Sequence, residues 1–361
     1  MIDLVRKLHK ERRLEACEYR SLLLCEDRET IESLHEAARE TAVERFGKNI
    51  YIRGLIEITN IRRNDCLYCG IRKSNGNISR YMLSDEEILE CCRYGYGLGF
   101  RTFVLQGGEL PESADCKTTA LCRAIHEEFP DCAITLSLGE RSPDSYRRFR
   151  EAGVTRYLLR HETYNPEHYS RLHPEGMSIE NRLQCLDILK GYGYQTGTGI
   201  MVGSPFQSAD NIVEDIIYIG QYRPEMIGLG PFIPHKDTVF SDYWKTTTSI
   251  LPGKSHEEEG LDLTLKLISV FRLMLPDSLI PATTALATLT PDGHEKGILA
   301  GANVIMPNLS PPRVRGNYSL YDNKASTGAE AAEGIESLKR QTGNIGYNIT
   351  IDRGDFRATD N

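Results

Sequence analysis

The sequence predicts an α/β protein built around a (β/α)8 TIM barrel, with an N-terminal helical extension and a C-terminal extension. Beyond about residue 48, eight short apolar segments alternate with longer amphipathic ones, which is typical of parallel strands joined by right-handed helical crossovers. Eight such units in about 260 residues match the usual size of this barrel. Polar residues follow the apolar segments, as expected where strands end at a binding face. A doubly wound open sheet is the structural alternative.

The N-terminal extension, residues 1–48, is predicted to be helical because residues 27–46 carry apolar side chains at helical spacing. The barrel is predicted over residues 49–310. Its strand candidates are residues 51–58, 102–106, 133–138, 156–160, 196–203, 226–230, 280–284 and 302–307. The helix candidate 84–99 opens with Ser84 and has Glu87 three residues later, the pattern of a capping box.

The C-terminal extension, residues 311–361, is predicted to be irregular, then helical over residues 329–340, and to close the barrel. A further helix candidate, residues 178–193, ends at glycine near the next strand. The sequence contains no internal repeat, low-complexity tract or long linker. We therefore expect one barrel domain with an extension at each end.

Composition and charge argue against several classes of function. The chain of 361 residues has a net charge of −8 and no basic tract, whereas binding nucleic-acid phosphates needs clustered Lys and Arg. The first residues contain no apolar stretch of the secretory type, and no run of about 18 apolar residues could span a membrane. Ten cysteines without a secretory signal indicate a reducing compartment. We expect a cytoplasmic protein with no nucleic-acid or membrane partner.

Polar or glycine residues stand at the end of each strand candidate. They are Cys66 and Cys69, residues 106–109, residues 137–140, residues 160–162, Gly203, residues 228–231, Thr283 with Thr284, and residues 306–308. Turn formation alone attracts glycine and polar residues, and this is the alternative explanation. It does not require Arg160, Glu162 and Glu140 directly at strand exits. We therefore predict an active site at the carboxyl end of the barrel.

Cys66 and Cys69 form a C-x-x-C pair in a loop, where both thiolates can reach one metal centre. The residues leave four interpretations open: half of a zinc site, a redox dithiol, part of an iron–sulfur ligand set, or two structural thiols. A zinc site needs a second pair, and no other C-x-x-C occurs. The remaining cysteines are expected to be structural; they are Cys17, Cys25, Cys91, Cys92, Cys116, Cys122, Cys132 and Cys185.

The cysteine loop, followed by Gly-Gly-Glu after the second strand candidate, resembles the radical S-adenosylmethionine superfamily. More closely, YIRGLIE, NDCLYCGIRKSN, VLQGGE, LSLGE, RYLLRHET, IGLGPFIPH, IPATTA and GANVIMPN resemble the HydE family of [FeFe]-hydrogenase maturases. The resemblance implies an enzyme that cleaves S-adenosylmethionine reductively at a [4Fe–4S] cluster. The resulting 5′-deoxyadenosyl radical would act on an organometallic iron precursor during assembly of the hydrogenase H-cluster.

The same resemblance implies roles for individual residues. Cys66 and Cys69 would be cluster ligands, the backbone of Tyr68 would lie near the adenine, and Gln106, Gly107, Gly108 and Glu109 would hold the methionyl amine. Thr135 and Ser137 would contact the cofactor, Arg160, Glu162 and Arg182 would anchor its polar end, and Met226, Thr283, Thr284 and Tyr318 would line the cavity. Arg160, Glu162 and Tyr318 are the expected catalytic residues. For Arg160 the alternative is an ion pair with Glu162 or Glu140, and for Met226 and the threonines it is filling of the barrel.

The sequence departs from the family pattern at Arg62, where the C-x-x-x-C-x-x-C signature has its first cysteine. A guanidinium does not deprotonate, so it brings a fixed positive charge to a cluster position. Three outcomes are open: a labile or absent cluster, a third ligand from Asp65 or a remote cysteine, or a substitution in an otherwise competent enzyme. Ser326, Gly334 and Ser337 stand where many members have accessory cysteines, so we predict no second cluster.

Three functions therefore compete. The first is a HydE-type radical enzyme that works on a small organometallic substrate with other maturation proteins and a reductant protein. The second, which Arg62 favours, is a cluster-deficient barrel that binds ligands or partners without catalysis. The third is a radical enzyme for an amino-acid-derived substrate, similar to methylornithine synthase or biotin synthase.

Overall fold

The N-terminal extension is helical, as predicted. The computed structural model describes residues 1–325 and 330–358, and the chain begins with helices α1 (Ile2–Glu11), α2 (Ala16–Leu23) and α3 (Arg28–Phe46). The carboxylate of Asp27 accepts a hydrogen bond from the backbone N–H of Thr30 and caps α3. This local cap explains why the sequence predicts the start of α3 correctly.

The strands that follow form a parallel barrel. They are β1 (Asn49–Ile52), β2 (Gly54–Thr59), β3 (Thr102–Gly107), β4 (Ala133–Ser137), β5 (Val154–Leu158), β6 (Gln195–Thr198), β7 (Met201–Val202), β8 (Met226–Ile227), β9 (Gly230–Pro231) and β10 (Val304–Ile305). Six of them pair in the order β2-β3-β4-β5-β6-β8. Parallel bridges from Met226 to Leu279, from Pro281 to Val304 and from Leu55 to Asn308 close the circle. The TIM barrel is confirmed, and the open doubly wound sheet is wrong.

Helices cover the outside of the barrel. They are α4 (Asp85–Gly97), α5 (Asp115–Glu128), α6 (Pro143–Glu151), α7 (Pro166–Leu172), α8 (Ile179–Gly191), α9 (Ala209–Tyr222), α10 (Tyr243–Thr246), α11 (His256–Met274), α12 (Thr284–Leu289) and α13 (Gly293–Leu299). Ser84 and Glu87 cap each other's backbone N–H groups at the start of α4, so the predicted capping box is confirmed. Within the described part of the chain, no helix combines the length and apolarity needed to cross a membrane.

Several predicted strands are shorter or divided. The predicted strand 51–58 changes partners at Arg53: β1 pairs with β10, whereas β2 pairs with β3. The predicted strand 280–284 is reduced to single bridges around Pro281, because proline has no N–H to donate to a ladder. Ala282 and Val304 still share a backbone hydrogen bond of 2.9 Å, which keeps this segment in the barrel wall.

The C-terminal extension contains α14 (Pro312–Arg315), α15 (Ile335–Asn344) and β11 (Asn348–Thr350). The helix predicted over 329–340 begins only at residue 335, because Asn308 uses the backbone of Glu330 and Ala332 for hydrogen bonds of 2.8 and 3.0 Å. The sequence did not predict β11, which pairs with β1. Of the tail positions compared with accessory cysteines, Gly334 caps α15, Ser337 lies within it, and Ser326 lies outside the described residues.

The end of this extension crosses the amino-terminal end of the barrel, which we call the floor. The guanidinium of Arg156 lies 2.7 Å from the carboxylate of Asp355 and donates to the carbonyl of Arg353 at 2.8 Å. The hydroxyl of Thr102 donates to the same carbonyl at 2.8 Å. Both β3 and β5 are therefore tied to the tail at the floor. We keep domain boundaries at residues 48 and 310 as a proposal.

Helix α11 connects the barrel to the N-terminal helices. It packs along α3, and the buried ammonium of Lys266 donates to the carbonyls of Leu23 and Cys25 at 3.0 and 2.6 Å. Burial lowers the pKa of Lys266 to about 8. The extension is therefore attached by a buried polar contact as well as by apolar packing.

Candidate functional site

A cavity of about 300 Å³ lies inside the barrel toward the carboxyl ends of the strands. Most residues predicted for the site line it: Cys66, Tyr68, Cys69, Gln106, Gly107, Glu109, Thr135, Ser137, Arg160, Glu162, Arg182, Met226, Thr283 and Thr284. Two further residues predicted for the site, Gly108 and Tyr318, are not among the described residues that line the cavity. The roles of these residues toward a ligand stay predictions.

The cysteine loop, residues 60–83, connects β2 to α4 and is held together by one arginine. The guanidinium of Arg80 donates to the carbonyls of Asn60, Ile71 and Arg72 at 2.6, 2.9 and 2.6 Å. One planar side chain with several donors can satisfy carbonyls that no helix or strand uses. The loop is therefore fixed without regular secondary structure.

Cys66 and Cys69 lie together in this loop. They are 7% and 4% exposed and pack with Ile71 and Tyr318. Burial raises the pKa of the Cys66 thiol to about 12, with a further contribution from Cys69, and the nearby Arg62 opposes the rise only in part. Without a bound metal, the Cys66 thiol is therefore neutral near neutral pH.

Arg62 lines the cavity beside the two thiols. Burial alone would lower the pKa of Arg62, but the neighbouring Cys69, Tyr318 and Cys66 raise it further than burial lowers it. The Nε atom of Arg62 is buried and has no hydrogen-bond partner among the described residues. A Cβ atom on Gly108 would overlap the Arg62 side chain, so this glycine allows the arginine to pack closely.

The donors at this loop do not fit a [4Fe–4S] cluster held by three protein thiolates. The two cysteines supply two ligands, and Arg62, at the third position, has no lone pair to offer. Asp65, the proposed substitute, accepts from the N–H of Ser74 at 2.9 Å and lies 3.9 Å from Arg72. In the residues that the structure describes, no group of three or more His, Cys, Asp and Glu side chains could hold a metal ion.

Glu109 supplies a carboxylate just after Gly107 and Gly108, the glycine pair at the end of β3. It accepts hydrogen bonds from the side chain of Asn64 and, at 3.3 Å, from the backbone N–H of Glu140, and it lies 3.4 Å from Arg63. Gly139 has a φ of 75°, and a Cβ there would overlap the Glu109 carboxyl group. The glycine after β4 therefore makes room for the carboxylate after β3.

Two ion pairs form one side of the cavity. Arg160 donates to the carboxylate of Glu162 and to the carbonyl of Ile200, both at 2.7 Å. Arg182, on α8, donates to the carboxylate of Glu140 at 2.7 Å and to the carbonyl of Arg160 at 3.1 Å. Arg160 thus makes the ion pair considered as its alternative role, with Glu162 rather than Glu140, while still lining the cavity.

His161 lies between Arg160 and Glu162 in the chain and faces away from the cavity. Its ring nitrogens lie 2.8 Å from the hydroxyl of Thr198 and 3.1 Å from the carboxylate of Asp215. The same carboxylate accepts from the backbone N–H of Tyr164 at 2.6 Å. This fully buried group fixes the chain on both sides of Glu162.

Tyr318, expected to line the cavity, packs behind the cysteine loop instead. It is fully buried against Cys66 and Cys69, where its ring adds to an apolar cluster. The backbone N–H of Gly70 donates to the carbonyl of Leu320 at 2.9 Å and holds this part of the tail against the loop. Leu320 and Tyr321 reach the cavity in its place.

Three charged lining residues were missed by sequence reasoning. Arg53 and Glu57 share a face of the first predicted strand with Leu55, and this period of two could have revealed them. Glu57 accepts from the amide of Asn308 at 2.9 Å and pairs with Lys324 of the tail. No local pattern connects Glu57 with a lysine so distant in the chain.

Residues 56–219 match the Radical SAM superfamily, which defines the class of this protein. The chain is 42% identical over 298 residues to the [FeFe] hydrogenase maturase subunit HydE of Thermotoga maritima, covering 82% of this chain and 81% of the relative. It is 30% identical over 309 residues to 3-methylornithine synthase of Methanosarcina barkeri, covering 84% of this chain and 82% of the relative. The chain belongs to the HydE family of radical SAM proteins.

Solved structures agree with this fold. The crystal structure of methylornithine synthase (PylB) has a TM-score of 0.80 at 26% identity and covers 96% of this chain and 97% of that one. The maturase HydG from Carboxydothermus hydrogenoformans has a TM-score of 0.76 at 22% identity and covers 96% of this chain and 78% of that one. The second likeness supports the barrel alone.

Proposed function

We propose that this protein is a HydE-type radical SAM enzyme that takes part in the maturation of [FeFe] hydrogenase. The observation that carries the proposal is the 42% identity to HydE over 82% of the chain. By the same likeness, its substrate is a small organometallic iron species, and its partners are other maturation proteins and a reductant protein. The ten cysteines are all free thiols, which supports a cytoplasmic location.

The charges around the cavity support a ligand with a zwitterionic amino-acid group, such as S-adenosylmethionine. Glu109 and Glu162 line the cavity and offer carboxylates to an ammonium group. Arg160 and Arg182 also line the cavity; they pair with Glu162 and Glu140, and their positive charge favours a ligand carboxylate nearby. Membership of the family implies this cofactor and a [4Fe–4S] cluster.

Arg62, at the position of a cluster ligand, favours a second function, that of a binding barrel without catalysis. With two thiolates and a guanidinium at the loop, the barrel would bind the same ligand but lack the electron source for radical formation. Its contribution to maturation would then be binding or assembly rather than catalysis.

The test uses a maturation mixture that contains an [FeFe] hydrogenase and its other maturation proteins but lacks HydE. The native chain and Arg62→Cys are added separately, each checked for folding by circular dichroism. Hydrogenase activity with the native chain would support the radical enzyme. Activity only with Arg62→Cys would support the binding barrel, and failure of both folded proteins would contradict a HydE-type role.

A further inference from the structure

Unlike Arg63 and Arg72 in the same loop, Arg62 has no carboxylate partner among the described residues. Its neighbours in the cysteine loop are paired, since Arg63 lies 3.4 Å from Glu109 and Arg72 lies 3.9 Å from Asp65. Arg62 itself makes no ion pair with any described residue, and its buried Nε lacks a hydrogen-bond partner there. A buried N–H without an acceptor is costly. An anion supplied by a ligand would remove this cost.

Arg62 lines the cavity together with a residue that carries a carboxylate, Glu109. Gly108 packs against the Arg62 side chain so closely that a Cβ there would overlap its Cγ. The next residue is Glu109, which lines the same cavity. A ligand with an ammonium and a carboxylate on one carbon could therefore contact Glu109 and Arg62 together.

We propose that Arg62 binds the carboxylate of a zwitterionic amino-acid ligand at the place where the family signature has a cluster cysteine. The inference rests on the proposed function for the ligand, S-adenosylmethionine, and adds how this chain would hold it. It also implies that the native chain retains no [4Fe–4S] cluster with three protein thiolates, and it therefore agrees with the binding barrel rather than with the radical enzyme. The salt bridge between Arg62 and the ligand carboxylate would hold the ligand, but it supplies no electron.

The experiment has to distinguish two ligands that carry the same zwitterionic group. S-adenosylmethionine and free methionine both carry it, whereas decarboxylated S-adenosylmethionine keeps the amine and the sulfonium but lacks the carboxylate. Calorimetric titration under anaerobic conditions with all three probes identifies the ligand and its recognised group. Tighter binding of S-adenosylmethionine than of methionine is expected, and the reverse order would overturn S-adenosylmethionine as the ligand.

The titration is repeated with Arg62→Ala and with a matched control, Arg93→Ala. Arg93 is an arginine on the outer face of α4 that pairs with Glu86 and Glu128, each at 2.6 Å. We expect Arg62→Ala to weaken S-adenosylmethionine binding by about 10- to 100-fold, the usual range for a charge-assisted hydrogen bond. Binding of the decarboxylated probe should not change, and Arg93→Ala should affect neither probe.

The outcomes separate this inference from the proposed function. Equal affinity of native protein and Arg62→Ala for S-adenosylmethionine, or equal weakening of both adenosyl probes, would overturn the carboxylate contact and leave the pocket in place. Absence of binding of every probe to folded native protein would overturn the contact and also remove the ligand of the proposed function.

Anaerobic reconstitution with iron and sulfide tests the implication that the native chain retains no [4Fe–4S] cluster. After desalting, native protein and Arg62→Ala should retain little iron, whereas Arg62→Cys should retain iron and sulfide in equal amounts and become coloured. A full complement of iron in the native protein would overturn the inference. Failure of folded Arg62→Cys to retain iron would overturn the assignment of position 62 to the cluster site.

Discussion

Single residues in the site hold each other in position through buried ion pairs. Arg182 and Glu140 have side chains that are 10% and 13% exposed, at a distance of 2.7 Å. The same chemical pair occurs on the surface, where Arg147 lies 2.7 Å from Glu151 with about half of each side chain exposed. The two pairs differ in burial, and Arg147 also keeps a second partner, Asp144, at 2.6 Å, so loss of Glu151 leaves it paired.

We expect Glu140→Gln to lower the free energy of unfolding by about 3 kcal/mol, because it leaves the Arg182 guanidinium buried without a carboxylate. Urea denaturation at neutral pH measures the change. The control Glu151→Gln removes an exposed partner and should cost less than about 0.5 kcal/mol. Similar costs for both variants would contradict the importance of burial.

The sequence predicts this part of the site well because its residues directly follow strands. Arg160 and Glu162 lie just after β5 (Val154–Leu158), and both line the cavity. Lys324 was not predicted, since its partner Glu57 belongs to a strand far away in the chain. Tyr318 packs behind the cysteine loop rather than along the cavity for the same reason: the path of the tail depends on long-range packing.

Elements with local signals were predicted more closely than elements defined by their neighbours. Helix α8 begins after Ser178, whose side chain accepts from the N–H of Asn181, and the sequence places its start there. The division between β1 and β2 depends on which strands lie beside them, and no local pattern encodes that. Contacts between elements are likewise set by tertiary packing, as in the contact of Lys266 on α11 with the N-terminal extension.

The stability contributed by Lys266 should depend on pH. Burial lowers its pKa to about 8 in the folded protein, from an ordinary value of 10.5 in the unfolded chain. Between these pH values the unfolded state binds more protons, so the folded state becomes more favourable as the pH rises. We expect the native protein to gain stability relative to Lys266→Met across this range.

Urea denaturation of both proteins below, within and above this pH range measures the difference. Lys10→Met, at an exposed position of α1, is the matched control. The difference between native protein and this control should stay constant. A constant difference for Lys266→Met as well would contradict the lowered pKa.

The C-terminal extension contacts the barrel at both ends. Leu320, Tyr321 and Lys324 line the cavity at the carboxyl end of the strands. At the floor, Arg156 is fully buried and pairs with Asp355 of the tail. Burial alone would raise the pKa of Asp355, but Arg156 lowers it below the ordinary value of 3.8, with help from Arg353.

The contact between the tail and the floor should therefore weaken in acid. A carboxylate with a lowered folded-state pKa adds stability above its unfolded-state pKa and loses it as the pH falls through the folded-state value. We expect Asp355→Asn to be less stable than native protein at neutral pH, and the difference to shrink below about pH 4. Urea denaturation as a function of pH measures this, with exposed Asp187→Asn as the control. A difference that does not vary with pH would contradict the role of the Arg156 pair.

The tail that contacts both ends of the barrel is synthesised after all of the barrel strands β1 to β10. Until it arrives, a nascent barrel exposes its charged interior at one end and Arg156 at the other. A premature stop codon or a long translational pause near residue 316 would leave a barrel without these tail contacts, which proteases would degrade more readily. The complete pocket can therefore form only after Leu320, Tyr321 and Lys324 have been synthesised.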